Sequence, residues 1–236
     1  MLKITTKSTD SASVNGQPFS MLVAGRKHYV FTDLSDIATI NKTKTLDIKN
    51  FVRMLLRNLF GMSDEAAIKL GAMKPAIHEI NTTYLLKSAN NIVETSRYFN
   101  FLDLLLNALD EEIKDAAGGS VTKDGFVLVT NTQGNATVHA YFGQTLLDIN
   151  PKILTDFTVF VADGFYPLLS GAPTFFYPRP VKAREQVARN LEDYIKIVDK
   201  DESASAPFIA ARVKVMKEQG IDQKETAREL LSVLFG

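Results

Sequence analysis

The stretch SAPFIAARVKVMKEQGIDQKETARELLSVLFG, residues 205–236, carries the clearest secondary-structure signals in the chain. Pro207 suits the first turn of a helix, where the missing backbone N–H would have no partner anyway, and the glycine of EQGID suits its end. Asp222 and Glu225 then have the spacing of a capping box. The stretch therefore predicts two consecutive helices. The second is apolar on nearly all sides over 230–235, which is typical of a helix buried within a larger protein.

Helical periodicity also runs through most of the chain upstream of this stretch. Apolar residues recur at helical spacing over 187–198, an aromatic-rich run covers 153–169, and longer helical patterns cover 136–147 and about 81–115. These patterns predict that nearly all of the chain after residue 33 is helical.

A different period marks the N-terminal part of the chain. Phe19, Met21 and Val23 alternate with polar or small residues, and Gly25-Arg26 supplies a turn before a second strand-like run. The sequence thus predicts a mainly α protein with a small N-terminal β-hairpin. Its expected divisions are a loose tail at 1–14 and one domain at 15–236, with the hairpin at 17–32 and the helical region at 33–236.

Composition excludes several classes of function. The 236 residues are 45% hydrophobic and carry 27 basic and 27 acidic side chains, so no basic field would attract nucleic acid. The chain contains no cysteine, which excludes disulfides, thiolate metal sites and a cysteine nucleophile. Glycine-rich phosphate loops and hydrolase elbows are missing as well. From the residues alone we assign no catalytic, cofactor-binding or metal-binding residue.

Four segments carry a resemblance to a known family. They are AYFG at 140–143, the run from FYP through GAP to YP at 165–178, SAPFIAAR at 205–212 and ARELL at 227–231. In this order they resemble the N-terminal half of the cytochrome P-450 family of haem-thiolate monooxygenases, up to the start of its central I helix. The branch that the chain most resembles is the fungal microsomal one, which is similar to sterol and bile-acid hydroxylases and prostacyclin synthase.

The resemblance implies a function for a full-length relative. Such a relative would bind haem, receive electrons from a reductase and hydroxylate a lipophilic, sterol-like substrate. It would reside at the endoplasmic reticulum membrane, whereas this chain, which shows no anchor, is assigned to the cytoplasm or left unassigned. The partners expected for this chain are a lipophilic small molecule and, peripherally, a membrane, but no nucleic acid.

The chain departs from the family pattern at the residues that perform the chemistry. Without cysteine it cannot supply the axial thiolate of the haem, so we expect it to be a truncated form, inactive alone, that does not bind haem stably. Glu94 to Arg97 and Glu225 to Arg228 both spell Glu-x-x-Arg, but we interpret them as ion pairs on solvated helix faces. Lys74, His78 or Lys87 would be the residues near a haem propionate.

Aromatic residues supply the candidate contact sites. The resemblance implies that Phe157, Phe160 and Phe165 line a substrate pocket and that the loop 171–178 touches a bilayer. Phe175, Phe176 and Tyr177 lie in that loop, and aromatic side chains favour the interface between membrane and water. The simpler interpretation is that all these rings pack in a core.

Two other functions stay open at this point. The chain would alternatively be a haem-free helical lipid-binding or regulatory module, or an unrelated soluble helical enzyme. We also expect marginal folding, because the start of the last helix would leave apolar faces exposed.

Overall fold

The computed structural model describes residues 18–23, 26–43, 49–86, 92–115 and 125–234. The predicted hairpin is present as two antiparallel strands, β1 (Phe19–Val23) and β2 (Arg26–Val30), with Phe19 opposite Val30. The predicted N-terminal tail lies outside the described residues.

The first group of helices follows the hairpin directly. Asp33 is the N-cap of α1, and its carboxylate accepts a hydrogen bond from the Ser35 amide at 2.7 Å. Ser63 caps another helix in the same way, accepting from the Ala66 amide at 3.2 Å. The elements are α1 (Leu34–Lys42), α2 (Lys49–Met54), a first π-helical segment (Leu55–Leu59), α3 (Asp64–Ala72), α4 (Lys74–Asn81) and a second π-helical segment (Thr82–Leu86).

The second group forms the larger part of the molecule. Gly143 separates two of its helices, since its φ of 76° is a left-handed conformation that favours glycine. The predicted helix over 153–169 is present with those bounds. The elements are α5 (Ile92–Asp115), α6 (Gly125–Phe142), α7 (Gln144–Ile149), α8 (Ile153–Leu169), α9 (Pro178–Val198), α10 (Pro207–Glu218) and α11 (Gln223–Leu234).

Helix α9 lies at the centre of the core, between α8 and α11. The apolar face predicted for 187–198 is buried throughout. Tyr194 on this face is fully buried, and its hydroxyl donates a 2.6 Å hydrogen bond to the carbonyl of Phe142 at the end of α6. Burial also raises the pKa of Tyr194, which keeps the phenol protonated as a donor.

Helix α11 is covered by the rest of the chain. Ala227, Leu230 and Leu231 are fully buried, with α9, α10 and the first π-helical segment packed against the helix. The expectation that the start of this helix would expose apolar faces is therefore wrong for the residues that the structure describes. The expectation fails because α9 packs against α11 and covers its apolar side chains.

The described fold is mainly helical with one small hairpin, as predicted. In the described part of the chain, every helix is too short or too polar to cross a membrane.

Candidate functional site

The candidate site is a cavity of about 840 Å³ in the described structure. It lies between the α2–α4 region on one side and α10 and α11 on the other, and its volume is within the range of small-molecule sites. Both ends of the chain contribute to it, so the fold brings together residues far apart in sequence. Its apolar wall consists of Val52, Leu55, Leu56, Phe60, Ala67, Leu70 and Ile77.

A buried ion pair is part of the lining of this cavity. Arg212 on α10 and Glu229 on α11 line the wall and are only 6% and 3% exposed. Arg212 Nη1 donates to Glu229 Oε1, and Arg212 Nη2 donates to Asn81 Oδ1 at 2.9 Å. The guanidinium also lies over the ring of Phe208, 4.9 Å from its centroid. We call Arg212 and Glu229 the Glu229 pair.

The Glu229 pair leaves two polar atoms unsatisfied. Arg212 Nε and Glu229 Oε2 are buried and have no hydrogen-bond partner among the described residues. Burial raises the pKa of Glu229, and the nearby charge of Arg212 opposes that rise. A buried acceptor and a buried donor without partners are costly unless a ligand or water satisfies them.

Exposed basic side chains also line the cavity. Lys74 and His78 line it from α4. They are two of the three residues that the sequence analysis named for a contact with a haem propionate. Arg53 lines it from α2, but its Nη2 already pairs with Asp64 Oδ1 at 2.9 Å. Lys87, the third candidate, lies outside the described residues.

A second ionic group includes Arg228, the residue before Glu229 on α11; its two arginines are buried and its carboxylate, on Glu185, is half-buried. Arg228 donates to both oxygens of Glu185, with 2.7 Å from Nη2 to Oε2, and to the Phe60 carbonyl at 2.9 Å. Arg184 donates to Glu185 Oε1 from Nε and Nη2 at 3.0 and 2.9 Å, and to the Leu59 carbonyl at 3.2 Å. We call Arg184, Glu185 and Arg228 the Glu185 cluster. It fastens α9 and α11 to the end of the first π-helical segment.

The electrostatics of the Glu185 cluster favour the ionised carboxylate. Burial acts to raise the pKa of Glu185, but the hydrogen bond and charge of Arg228, together with those of Arg184, hold it below its usual value.

The interpretation of Glu225 and Arg228 as a solvated ion pair is wrong. Arg228 is buried in the Glu185 cluster, and the Glu225 carboxylate instead accepts from the Ser63 amide at 3.1 Å. The physical reason is that α11 is enclosed, so its arginine must find partners inside the protein. The side chains of Glu94 and Arg97 lie outside the described residues.

The three candidate pocket residues do not line the large cavity. Phe160 is fully buried, and its ring packs edge-on against Phe60 and Phe157 at centroid distances of 6.3 and 6.1 Å. Phe157 lines a separate cavity of about 300 Å³, and half-buried Phe165 packs against Tyr166 at 5.0 Å.

The loop at 171–178 presents two aromatic rings to solvent. Phe175 and Phe176 are 72% and 66% exposed, with their centroids 4.0 Å apart, in a short 3₁₀ turn after Pro173. Tyr177 is half-buried. What distinguishes this loop is that its two exposed rings are in contact, since rings elsewhere, such as Tyr166 at 80%, are as exposed.

Sequence reasoning missed the Glu229 pair, although the sequence held a signal for it. Both residues occur in helices whose neighbours at 208–213 and 226–231 are apolar on the same side. A charged residue within such a face is costly to bury unless it is paired, so two of them on consecutive helices indicate a buried pair.

The chain does not provide the cysteine thiolate that would bind haem iron in a haem-thiolate protein. The chain has no cysteine, and no group of three or more His, Asp or Glu side chains in the described part is arranged to hold a metal ion. The basic side chains of the cavity, Lys74 and His78, suit an anionic group.

The fold and the cavity define a mainly α-helical protein with an apolar-walled site whose lining includes a buried ion pair. The chain is 31% identical to cytochrome P450 monooxygenase poxD of Penicillium oxalicum over 226 residues. These matched residues make up 95% of this chain and 46% of that protein. The chain is therefore similar to one part of a cytochrome P450 monooxygenase, and it spans about half the length of this relative.

Two further comparisons gave no match. No protein-family model matches the chain, and no solved structure matches it. The similarity to a monooxygenase does not favour the two other functions considered from the sequence.

Proposed function

We propose that the chain forms the N-terminal half of a haem-dependent monooxygenase that hydroxylates a lipophilic, sterol-like substrate. The observation that carries this proposal is the similarity to a P450 monooxygenase along 95% of the chain. The apolar wall of the large cavity agrees with a lipophilic ligand. The whole protein would take its electrons from a reductase and belong to the fungal microsomal branch at the endoplasmic reticulum.

This chain alone is proposed to be inactive and not to hold haem stably. The thiolate that favours O–O cleavage has to come from a cysteine, which the chain does not contain. The test is to add haemin to the purified chain, reduce it and record the carbon monoxide difference spectrum. We expect no red-shifted Soret band of the haem-thiolate type, and such a band would contradict the proposal. The full-length Penicillium relative is the positive control.

Sequencing the native transcript tests the assignment to a longer monooxygenase. We expect an open frame that continues into a helix with an acid–alcohol pair and a loop that contains a cysteine. A transcript without these segments would contradict the proposed function.

Helix α8 is proposed to contact the lipophilic substrate at the smaller cavity of about 300 Å³ that Phe157 lines, apart from the large cavity. Phe157 and Phe165 are half-buried and able to contact a ligand, while fully buried Phe160 holds α8 against Phe60. Replacing Phe157 by Ala in a full-length active protein would then raise the KM for the substrate more than it lowers kcat. An unchanged KM would contradict this role.

The loop at 171–178 is proposed to touch a membrane surface peripherally. The support is the exposure of Phe175 and Phe176 and the preference of aromatic rings for the interface. The double variant Phe175→Ser/Phe176→Ser should lose co-sedimentation with phosphatidylcholine vesicles. Tyr98→Ser/Phe99→Ser, an adjacent pair of rings on α5 that are each 59% exposed, is the matched control and should leave it unchanged. Equal loss in both variants would argue against a specific contact.

A further inference from the structure

An open groove of about 450 Å³ lies between α8 and α9, and we call it the α8–α9 groove. It shares no lining residue with the large cavity or with the cavity beside Phe157, so it is a separate site. Its volume is within the range of small-molecule sites. The residues that line it are Asp156, Pro178, Arg179, Lys182, Ala183 and Gln186.

The groove carries charges of both signs on accessible side chains. Arg179 is 75% exposed, and its 3.3 Å ion pair with Asp163 joins two exposed side chains, so a ligand can replace it at little cost. Lys182 is exposed and makes no ion pair within the described part of the chain. Half-buried Asp156 accepts from Asn150 Nδ2 through its Oδ2 at 3.2 Å, and its Oδ1 has no partner among the described residues.

These charges follow the exposed rings of the loop at 171–178 in a definite order. The rings lie in the turn directly before α9, and Arg179 and Lys182 lie in the first two turns of that helix. Asp163, the partner of Arg179, marks the part of α8 beside this start. Asp156 is two helical turns earlier on α8, about 10 Å further from the loop. With increasing distance from the loop, the surface is therefore aromatic, then basic, then acidic.

A phospholipid with a primary ammonium group presents its own groups in the matching order. From the membrane outward, it has acyl chains, then a phosphate, then the ammonium group. Arginine and lysine bind phosphate oxygens through charge-assisted hydrogen bonds, and a carboxylate accepts from the N–H donors of an ammonium group. A choline headgroup has no N–H donor for Asp156, and the headgroup of phosphatidylglycerol has no cation.

We propose that the α8–α9 groove binds a phospholipid headgroup with a primary ammonium group, as in phosphatidylethanolamine. The phosphate lies at Arg179 and Lys182, and the ammonium group lies at Asp156. This inference names the lipid that the loop at 171–178 meets, and for a lipid within a membrane it rests on the proposed contact of that loop.

The test uses the full 236-residue chain and three kinds of vesicle: phosphatidylcholine alone, phosphatidylcholine mixed with phosphatidylethanolamine, and phosphatidylcholine mixed with phosphatidylglycerol. Co-sedimentation should give an apparent Kd about fivefold lower for the phosphatidylethanolamine mixture than for phosphatidylcholine alone, which is the effect of one exposed charged contact. The phosphatidylglycerol mixture should bind more weakly than the phosphatidylethanolamine mixture.

Three variants place the preference in the groove. Asp156→Asn should still bind phosphatidylcholine but lose the preference for phosphatidylethanolamine. Asp148→Asn is the matched control, because Asp148 also accepts from a side-chain amide, that of Gln144 at 3.0 Å, but does not line the groove. It should keep the preference. Lys182→Gln should weaken binding to both vesicles by the same factor, since both lipids carry the phosphate.

A soluble headgroup separates the groove from the membrane contact. In saturation-transfer difference NMR, glycerophosphoethanolamine should give a stronger signal with the native chain than with Asp156→Asn, and a stronger one than glycerophosphocholine. A chain that shows this preference but binds no vesicle would reject the contact of the loop and keep the headgroup site.

Three outcomes would overturn the proposal. The first is equal binding to the phosphatidylcholine and phosphatidylethanolamine vesicles, and the second is a preference that persists in Asp156→Asn. The third is binding of inorganic phosphate as tight as that of glycerophosphoethanolamine, which would indicate a simple anion site. Loss of vesicle binding together with loss of the soluble preference would reject both the headgroup site and the membrane contact.

Discussion

Arg228 and Glu229 are neighbours on α11, but they belong to two ionic groups that differ in how completely their polar atoms are paired. In the Glu185 cluster, Arg228 and Arg184 share one carboxylate and also donate to the last carbonyls of the first π-helical segment. In the Glu229 pair, one donor and one acceptor have no partner in the described structure.

The difference separates two effects on stability. A buried network in which carboxylate and guanidinium groups are paired fixes the elements that it connects. A buried pair that lacks partners keeps part of the desolvation cost of its charges. Two consecutive residues of α11 therefore belong to groups that we expect to respond differently to substitution.

Removing a member of the Glu185 cluster should have the largest effect on stability. In Arg228→Met, Glu185 loses one of its two guanidinium partners and the Phe60 carbonyl loses its donor. Because the Glu185 side chain is 30% exposed and keeps Arg184 as a partner, we expect a loss of about 3 kcal/mol, the lower end of the range for breaking a buried pair. Urea unfolding followed by circular dichroism measures this loss.

A surface arginine provides the control for that measurement. Arg179 pairs with Asp163 at 3.3 Å, and its side chain is 75% exposed. Arg179→Met should change the free energy of unfolding by about 0–1 kcal/mol, because exposed pairs contribute little. Similar losses in the two variants would contradict the role given to the Glu185 cluster.

The Glu229 pair should behave differently when both members are replaced. Glu229→Leu alone leaves a buried, uncompensated Arg212, and we expect a loss of about 3 kcal/mol. The double variant Arg212→Met/Glu229→Leu should recover most of it, since apolar replacement of a buried pair is often neutral or stabilising. Urea unfolding of both variants checks this. A double variant no more stable than Glu229→Leu would show that the pair is needed for the fold.

Gly61 lies against Arg228 of the Glu185 cluster, and replacing it should have a smaller effect on the free energy of unfolding. Its φ is 74°, and a Cβ there would lie 2.6 Å from Arg228 Nη1. Gly61→Ala should therefore cost about 1–2 kcal/mol, from the left-handed conformation and from displacement of the guanidinium. Gly71→Ala, in a helix with open space around the position, should instead stabilise by about 0.5–1 kcal/mol. Thermal unfolding distinguishes the two signs, and a stabilised Gly61→Ala would contradict the close contact.

Local sequence signals were sufficient for most of the helices and for the hairpin. Pro207, Asp222 and the glycine at 220 mark α10 and the start of α11 because caps and breakers act within a few residues. The periodicity over 187–198 identified the buried face of α9 for the same reason.

The candidate site was not predictable in this way. The cavity joins α2–α4 to α10 and α11, and Arg212 contacts Asn81 across 131 positions of sequence. Arg228 was misjudged because a spacing of three residues from Glu225 describes an isolated helix, whereas the packing of α9 against α11 decides its partner. Such contacts depend on tertiary packing, which no local pattern contains.

The smallest expected effect is the pH dependence that divides the two carboxylates. The pKa of Glu185 is lowered by folding, so its contribution to stability is present above the unfolded value of about 4.5 and is lost as the pH falls through the lower folded value. The pKa of Glu229 is raised, so its contribution is present below that unfolded value and is lost as the pH rises through the folded one. The contributions of Glu185 and Glu229 to stability therefore change in opposite directions with pH.

Urea midpoints measured on either side of about pH 4.5 should fall less on acidification in Glu185→Gln than in the native chain, and more in Arg212→Met/Glu229→Leu. The same acid dependence in all three proteins would mean that neither buried carboxylate controls it.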